Sequence, residues 1–303
     1  MRDFAPIRRG KRRFDDDEQF SAQSHHPRRS VDDASDALDG LPEGDRWSTW
    51  DQSTAGERGP RPYPDWLVTD LAAVDTELGV LKTGKEADVF LVRRHVPQTD
   101  RSCLLAAKRY RRAEHRMFHR DVGYLEGRRV KESRTNRAIA NRTSFGRNVI
   151  AAQWAGAEFA ALCQLYRAGV PVPYPVQILG TEVLLEFIGD TDGVAAPRLS
   201  ETRLRGIELA DVWNQLVEIL VVLARHGLAH GDLSAYNLLV HEGRLVLIDL
   251  PQVVDVVANP RGASYLDRDA ANVSKWFTAR GLTGAATDPE QLAALLRREA
   301  HLG

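Results

Sequence analysis

Asp232, Asn237 and Asp249 are the residues of this 303-residue chain whose types and spacing most directly suggest chemistry. Asp232 and Asn237 lie in Leu228-Ala229-His230-Gly231-Asp232-Leu233-Ser234-Ala235-Tyr236-Asn237, and Asp249 follows Ile248. An Asp, an Asn five residues on and a second Asp after a short hairpin are the parts of a phosphotransferase metal site. One Asp handles the acceptor's proton; the Asn and the other Asp hold magnesium on the phosphates of ATP. A lone His-Gly-Asp is a common tripeptide, and most loop Asp residues cap or turn the chain. The complete set is far more specific, because nothing structural requires that triplet at that spacing.

The metal pair needs a hairpin to bring it together. Leu238-Leu239-Val240 and Leu245-Val246-Leu247-Ile248 are apolar runs rich in branched side chains, and His241-Glu242-Gly243 between them reads as a turn. Asn237 and Asp249 are equally far from Gly243, so a hairpin folded there returns them to one open end, on the order of 5 Å apart. Two oxygen ligands at that separation suit one hard cation.

Further elements frame this segment. Leu78–Lys82, Ala87–Val92 and Cys103–Tyr110 are predicted strands, and Ile150–Ala168 a helix capped by Gly169 and stopped by Pro171. Short strands are expected around Val176–Leu179 and Val183–Phe187. A long helix near Leu209–His226 keeps its apolar positions at helical spacing and ends at Gly227. Two helices close the chain, about Leu266–Thr278 and one starting at Asp288, where Asp288-Pro289-Glu290-Gln291 combines an N-cap, an N1 proline and an N3 Gln.

The nucleotide side of the site is read from weaker signals. Thr83-Gly84-Lys85 sits between two strands as a phosphate-covering turn, with Gly84 letting the backbone approach the phosphates. It is not a Walker A loop, and alone it reads equally well as a plain hairpin turn. Lys108 ends an apolar strand, where a lysine usually snorkels to the surface. Glu158 changes that reading, because it shares a helix face with Trp154, Leu162 and Leu165 and an acid on an apolar stripe needs a cation. A Lys108–Glu158 pair would position the α- and β-phosphates. Leu184-Leu185-Glu186-Phe187-Ile188-Gly189 fits a segment joining two lobes, with backbone groups of Glu186 and Ile188 bonding the adenine edge.

Composition bounds the rest. With 43% apolar and 27% charged residues and a formal net charge of −1, the chain is an ordinary soluble globular protein rather than a uniformly basic one. Its two cysteines, Cys103 and Cys163, stand in apolar surroundings and read as buried free thiols in a reducing cytoplasm. Met1-Arg2-Asp3 leads into Arg and Asp runs, so no signal peptide is expected, and Leu216–Leu223 is too short to span a bilayer. Residues 1–60 are poor in aliphatics and are expected to be a disordered charged tail. Trp47 and Trp50 within it dock either on the folded domain or on a partner.

Taken together, the chain resembles the RIO family of atypical serine/threonine protein kinases over about residues 75–280, and most closely its type 1 branch. The resemblance rests on Thr83-Gly84-Lys85-Glu86-Ala87, Lys108, Glu158, Glu186-Phe187-Ile188-Gly189, Ala196-Pro197-Arg198-Leu199, His230 to Asn237, and Ile248-Asp249 with Gln252. Tyr265-Leu266-Asp267-Arg268-Asp269 to Asn272-Val273 is similar to the family's last helix. It implies an α+β, two-lobed kinase-like fold, with an N-lobe at 61–189 and a reduced, mostly helical C-lobe at 190–303. It implies Asp232 as the catalytic Asp, Asn237 and Asp249 as ligands of Mg2+ (Mn2+ as substitute), and Lys108, held by Glu158, on the phosphates of ATP. It implies phosphorylation of serine in a protein substrate and in the chain itself, or ATP hydrolysis through a phosphoaspartate at Asp249. Family members act in small ribosomal subunit maturation, so ribosomal RNA or a ribosomal protein is an implied partner of the Arg-rich segments, Arg8–Arg13 and 111–147.

The chain departs from that pattern at Lys82, where the family usually has a small Ser. Lys82 either reaches the phosphates or faces solvent, and solvent is the preferred reading. Asp249-Leu250-Pro251 replaces Asp-Phe-Gly, and Gly231 stands where typical protein kinases carry an Arg that grips a phosphorylated activation loop. No activation-loop switch and a poor peptide platform are expected. Two rivals stand beside this reading: a small-molecule phosphotransferase of the aminoglycoside or choline type, and a ribosome-assembly scaffold gated by ATP.

Overall fold

A computed structural model of the chain describes residues 44–111 and 144–302. Six strands form one antiparallel sheet: β1 (Arg46–Trp47), β2 (Val74–Thr83), β3 (Ala87–His95), β4 (Ser102–Tyr110), β5 (Pro175–Leu179) and β6 (Glu182–Glu186), in the order β1-β2-β3-β4-β6-β5. Residues paired across neighbouring antiparallel strands point to the same face. The row Val89–Lys108–Val183 therefore shares one face. That inner face packs on helix α1 (Ser144–Arg167), where Ala87, Tyr110 and Val183 meet Trp154, Ala155 and Phe159.

The outer face carries Val92, Leu105, Ala107 and Leu184, and the chain preceding β2 covers it with Trp50, Leu67 and Val68. This corrects the expectation of a disordered tail through residue 60. Over residues 44–60 the chain is anchored: β1 pairs with β2, the Gly59 N–H donates to the Val176 carbonyl, and Trp50 is buried. Arg58 fixes the turn by donating to the Trp50 carbonyl at 2.6 Å and to the Ser53 hydroxyl at 2.9 Å. Aliphatic scarcity misled the reading, because a sheet face that is apolar on both sides lets one tryptophan and a few turn bonds order the strap. Residues 1–43, with Arg8–Arg13, and residues 112–143 lie outside the described residues.

Beneath the strap a buried charge is paired. Arg94, fully buried, donates to both carboxylate oxygens of Asp75 at 2.7 and 3.0 Å, and Gln177 links this pair to Thr49. A guanidinium with no water must find such a fork or unfold its surroundings.

The second lobe is built on α2 (Gly206–Arg225), whose buried stripe Leu209, Val212, Trp213, Leu216, Ile219, Leu220 and Leu223 follows the helical period. β7 (Leu228–Ala229) pairs with β10 (Val254–Asp255), and β8 (Leu238–His241) forms a hairpin with β9 (Arg244–Leu247). Its turn residues Glu242 and Gly243 have φ of 51° and 75°, the twist that suits a two-residue hairpin. Helices α3 (Gly262–Ala279) and α4 (Pro289–Glu299) complete the core through Leu266, Val273, Phe277, Leu292 and Leu296. The Asp288 carboxylate accepts from the Glu290 and Gln291 N–H groups, the cap that the sequence predicts. The expected α+β, two-lobed architecture is the one observed. Cys103 and Cys163 are buried free thiols, and burial pushes the Cys163 thiol up to about 11. Among the described residues no helix is long and apolar enough to cross a membrane.

Candidate active site

The β8–β9 hairpin turns at Glu242-Gly243 rather than symmetrically about Gly243, so Asn237 stands opposite Ile248 and Asp249 comes one residue later. Leu238 stands opposite Leu247, and the Ile248 N–H donates to the Asn237 carbonyl at 3.0 Å, so Asn237 and Asp249 leave the same open end. A tight turn at Ala235–Asn237 delivers Asn237, with its N–H on the Ser234 carbonyl at 2.9 Å. The Asn237 amide nitrogen then donates to the Asp232 carbonyl at 2.9 Å. This orients the side chain and leaves its oxygen accepting no hydrogen bond among the described residues, so that it could take a cation.

Asp249 adopts a left-handed backbone, φ 65°, uncommon for a residue with a side chain and a mark of a constrained position. Its carboxylate, 37% exposed, receives the Lys108 ammonium at 2.8 Å. Burial alone would raise the Asp249 carboxyl, but the Lys108 charge and hydrogen bond, with Lys82 and His230 behind them, hold it below the usual range. The same ammonium donates to Glu158 at 2.6 Å. Burial opposes the Lys108 charge, yet the two carboxylates outweigh it and shift its pKa upward.

Glu158 is almost fully buried on α1 and saturated. One oxygen accepts from Lys108 and, at 3.2 Å, from the Leu250 N–H; the other accepts from the Tyr110 hydroxyl. Burial and the adjacent Glu158 carboxylate push the Tyr110 phenol well up, so it stays a donor. A single carboxylate thus ties β4, α1 and the segment after Asp249 together. Sequence reasoning found the Lys108–Glu158 pair and missed Tyr110, which closes the strand two residues past Lys108 and so points to the same face.

Asp232 is exposed in the cleft, and the loop that carries it is fastened from behind. The buried Asp269 carboxylate on α3 accepts the Gly231 N–H at 2.9 Å and the Leu233 N–H at 3.1 Å, one on each side of Asp232. Asn272 donates to the Leu233 carbonyl at 3.2 Å. Burial raises the Asp269 carboxyl, against the opposing pull of His230 and the two N–H bonds. Gly231 has φ 85°, and a Cβ there would stand 2.4 Å from the Gln252 carbonyl oxygen, so only glycine fits. His230, fully buried, touches the Ile248 carbonyl at 3.2 Å and braces the loop against the Asp249 strand. Asp269 and Asn272 fall within the stretch similar to the family's last helix, but their spacing alone carried no sign of this task.

The nucleotide-side residues line the other wall. Thr83, Gly84 and Lys85 form the tight β2–β3 turn, closed by the Gly84 N–H on the Ala87 carbonyl at 3.0 Å. A Cβ on Gly84 would come within 2.8 Å of that oxygen. Lys85 is exposed. Glu186 ends β6 with both its N–H and its carboxylate engaged by Tyr174, each at 2.9 Å, and burial raises its carboxyl. The Ile188 carbonyl accepts from Ala196 at 3.0 Å, whereas the Ile188 N–H has no partner among the described residues. An unpaired donor in the segment between lobes fits the edge of a base.

The donor set also bears on which cation fits. Among the described residues no group of three or more His, Cys, Asp and Glu side chains could hold a metal by itself. Asn237 and Asp249 supply two hard oxygens, which suits magnesium, an ion held by few protein oxygens and completed by phosphates and water.

The family model for the RIO domain matches residues 95–292. The RIO-type serine/threonine-protein kinase Rio1 of Haloferax volcanii is 35% identical over 208 residues, covering 69% of this chain and 65% of that protein. The serine/threonine-protein kinase RIO1 of Chaetomium thermophilum is 33% identical over 213 residues, covering 67% of this chain and 40% of that protein. The chain thus spans less than two thirds of the length of either relative. A crystal structure of the Rio2 kinase from Chaetomium thermophilum has the same fold, with a TM-score of 0.51 at 20% identity over 72% of this chain and 63% of that one.

Proposed function

The chain belongs to the RIO domain family, and from that premise we propose that it transfers the γ-phosphate of ATP, with magnesium, to serine hydroxyls of protein, its own included, or to water in a conformational cycle. The observation that carries this reading is the continuous set Tyr110–Glu158–Lys108–Asp249, which ends beside the free oxygen of Asn237.

Each residue has a task in it. The Ile188 N–H receives the adenine edge. Lys108, held by Glu158, donates to phosphate oxygens, and Thr83 to Lys85 cover them. Asn237 and Asp249 would hold magnesium, which when bound supplies neutralising charge on the phosphates. Asp232 accepts the proton of the acceptor hydroxyl as its oxygen bonds to the γ-phosphorus and the bond to ADP breaks. The Asp269 hydrogen bonds keep Asp232 from drifting, and positioning of this kind is most of what a protein contributes to phosphoryl transfer.

The small-molecule rival is less favoured, because residues beyond Asp249 go into β10, α3 and α4, which pack into the core rather than forming an acceptor insert. A cytoplasmic location and a contact with ribosomal RNA or a ribosomal protein belong to the same reading. Their support is the two buried thiols and the charge of Arg8–Arg13 and 111–147. Salt-sensitive RNA binding by the full chain would test the contact.

The decisive experiment follows the label of γ-labelled ATP with magnesium, for the chain and its Asp232→Ala and Asp249→Asn variants. Acid-stable label on protein that both variants lose supports hydroxyl phosphorylation. Free phosphate with a transient hydroxylamine-sensitive label on the chain supports hydrolysis through Asp249. No transfer or hydrolysis above the level of the variants would sink the reading.

A further inference from the structure

Lys82 stands outside the hydrogen-bonded set of Lys108, Glu158 and Asp249, and its placement gives it a role of its own. The β2–β3 pairing is interrupted between Glu77 and Gly79 and again between Val80 and Lys82. The second irregularity is decisive. Val80 stands opposite Phe90 on the outer face, and regular pairing would put Leu81 opposite Val89 and leave Lys82 on that outer face too. The extra residue instead sets Lys82 opposite Val89. Val89 in turn stands opposite Lys108. Lys82 and Lys108 therefore project from the same inner face, two strand spacings or about 10 Å apart. The lysine is exposed, but on the side of the cleft.

Across the cleft stands Arg198. Its backbone bridges to Leu239 of β8, just past Asn237, so it belongs to the lobe that carries the metal pair. Neither Lys82 nor the Arg198 guanidinium forms a salt bridge among the described residues, and one Asp249 oxygen is already held by Lys108 at 2.8 Å. Partial desolvation, then the Arg198 charge, lowers the Lys82 ammonium's pKa, with Asp249 and Glu86 opposing and Lys108 adding to the repulsion. Two cations from opposite lobes thus feel one another, and a polyanion between them would turn their repulsion into attraction.

We propose that Lys82 and Arg198 form a second phosphate clamp beside Lys108, closing on the phosphate chain of a nucleoside triphosphate from both lobes. The clamp makes affinity rise with the number of phosphates and gives the chain a fixed positive charge where its family has a small residue. It rests on reading the cleft as a nucleotide site, and it assigns a residue to that site that the family pattern does not supply.

The test is equilibrium binding of adenosine, ADP and a non-hydrolysable ATP analogue, with magnesium, to the full chain and to Lys82→Gln, Arg198→Gln and Lys82→Arg. Removing either charge is expected to weaken the ATP analogue about tenfold, as loss of a charged hydrogen bond does. ADP should lose less and adenosine nothing; Lys82→Arg should keep most of the affinity, and the difference should shrink with salt. Equal affinity for the ATP analogue in the chain and in Lys82→Gln overturns the clamp while leaving the nucleotide site standing. An equal loss for adenosine also overturns it, since Lys82 would then act through the fold. A chain that binds no ATP analogue at all removes both the clamp and the proposed function.

Discussion

The loop from Leu228 to Asn237, in the helical lobe, and the turn from Thr83 to Lys85, in the sheet, are held in opposite ways. The loop is fastened from its buried side: Asp269 takes the N–H groups on both sides of Asp232, Asn272 takes a carbonyl, and Gly231 lies against the Gln252 backbone. The turn is closed only by local bonds, the Gly84 N–H on the Ala87 carbonyl and the Asp88 carboxylate accepting from Thr83 and Gly84, and Lys82 and Lys85 beside it are exposed. Hydrogen bonds out of water resist distortion, whereas exposed charges act through space and are screened. The floor is therefore built to hold one geometry, and the roof to attract and release a charged ligand. Glu158 joins the two, through Lys108 on the sheet and Leu250 after the metal strand.

That contrast can be broken first at the floor. Asp269→Ala leaves two buried N–H groups without acceptors, at a cost of about 1–3 kcal/mol each. Denaturant unfolding should show the loss, and turnover should fall by about a hundredfold or more as Asp232 loses its position. Full turnover in this variant would mean that the floor is not held from behind.

Glu158→Ala comes next, at about 3 kcal/mol for a buried pair that loses one partner. Lys108 would keep Asp249, so the protein should stay folded while binding of ATP weakens; unchanged binding would separate Glu158 from the site.

Two carboxylates around the floor should also respond oppositely to pH. Asp249 has a lowered folded pKa, so its contribution to stability is present above the unfolded value, about 3.9, and is lost as pH falls through the folded one. Asp269 has a raised folded pKa, so it costs stability as pH rises from the unfolded value through the folded one. Unfolding free energies across acid pH, for the chain against Asp249→Asn and Asp269→Asn, should differ with slopes of opposite sign. Parallel slopes would contradict the assignment.

The smallest effect is expected at Lys85. Lys85→Ala should leave stability unchanged and weaken ATP by no more than about 1 kcal/mol, as exposed charges do. A loss as large as that of Lys82→Gln would place the roof's main cation at the turn rather than on the strand.

Much of the site could be read along the chain. The hairpin follows from two apolar runs on either side of His241-Glu242-Gly243; the turn closes at Glu242-Gly243 and sets Asn237 opposite Ile248, with Asp249 one residue on at the same open end. The Lys108–Glu158 pair follows from an acid on an apolar helical stripe, which must find a cation. The Asp288 cap and the Gly169 and Gly227 helix ends follow from local backbone chemistry. What stayed hidden depends on distant partners. The strap over residues 44–60 looked disordered because its own aliphatics are few; the sheet's outer face supplies the missing apolar surface. Asp269 looked like one acid on a helix until α3 set it behind Asp232.

Sequence by itself therefore determined the chemistry proposed for this protein, because Asn237, Asp249 and the loop before them lie within one continuous segment whose spacing converts directly into geometry. It also determined most helices and strands, whose period is local. Tertiary structure alone decided which groups hold that chemistry in place. Tyr110 and Asp269 act through burial, and burial is a property of the assembled lobes. The face of Lys82 was decided by two unpaired residues in β2, since a strand's alternation has a period of two, the first inserted residue inverts it and the second restores it.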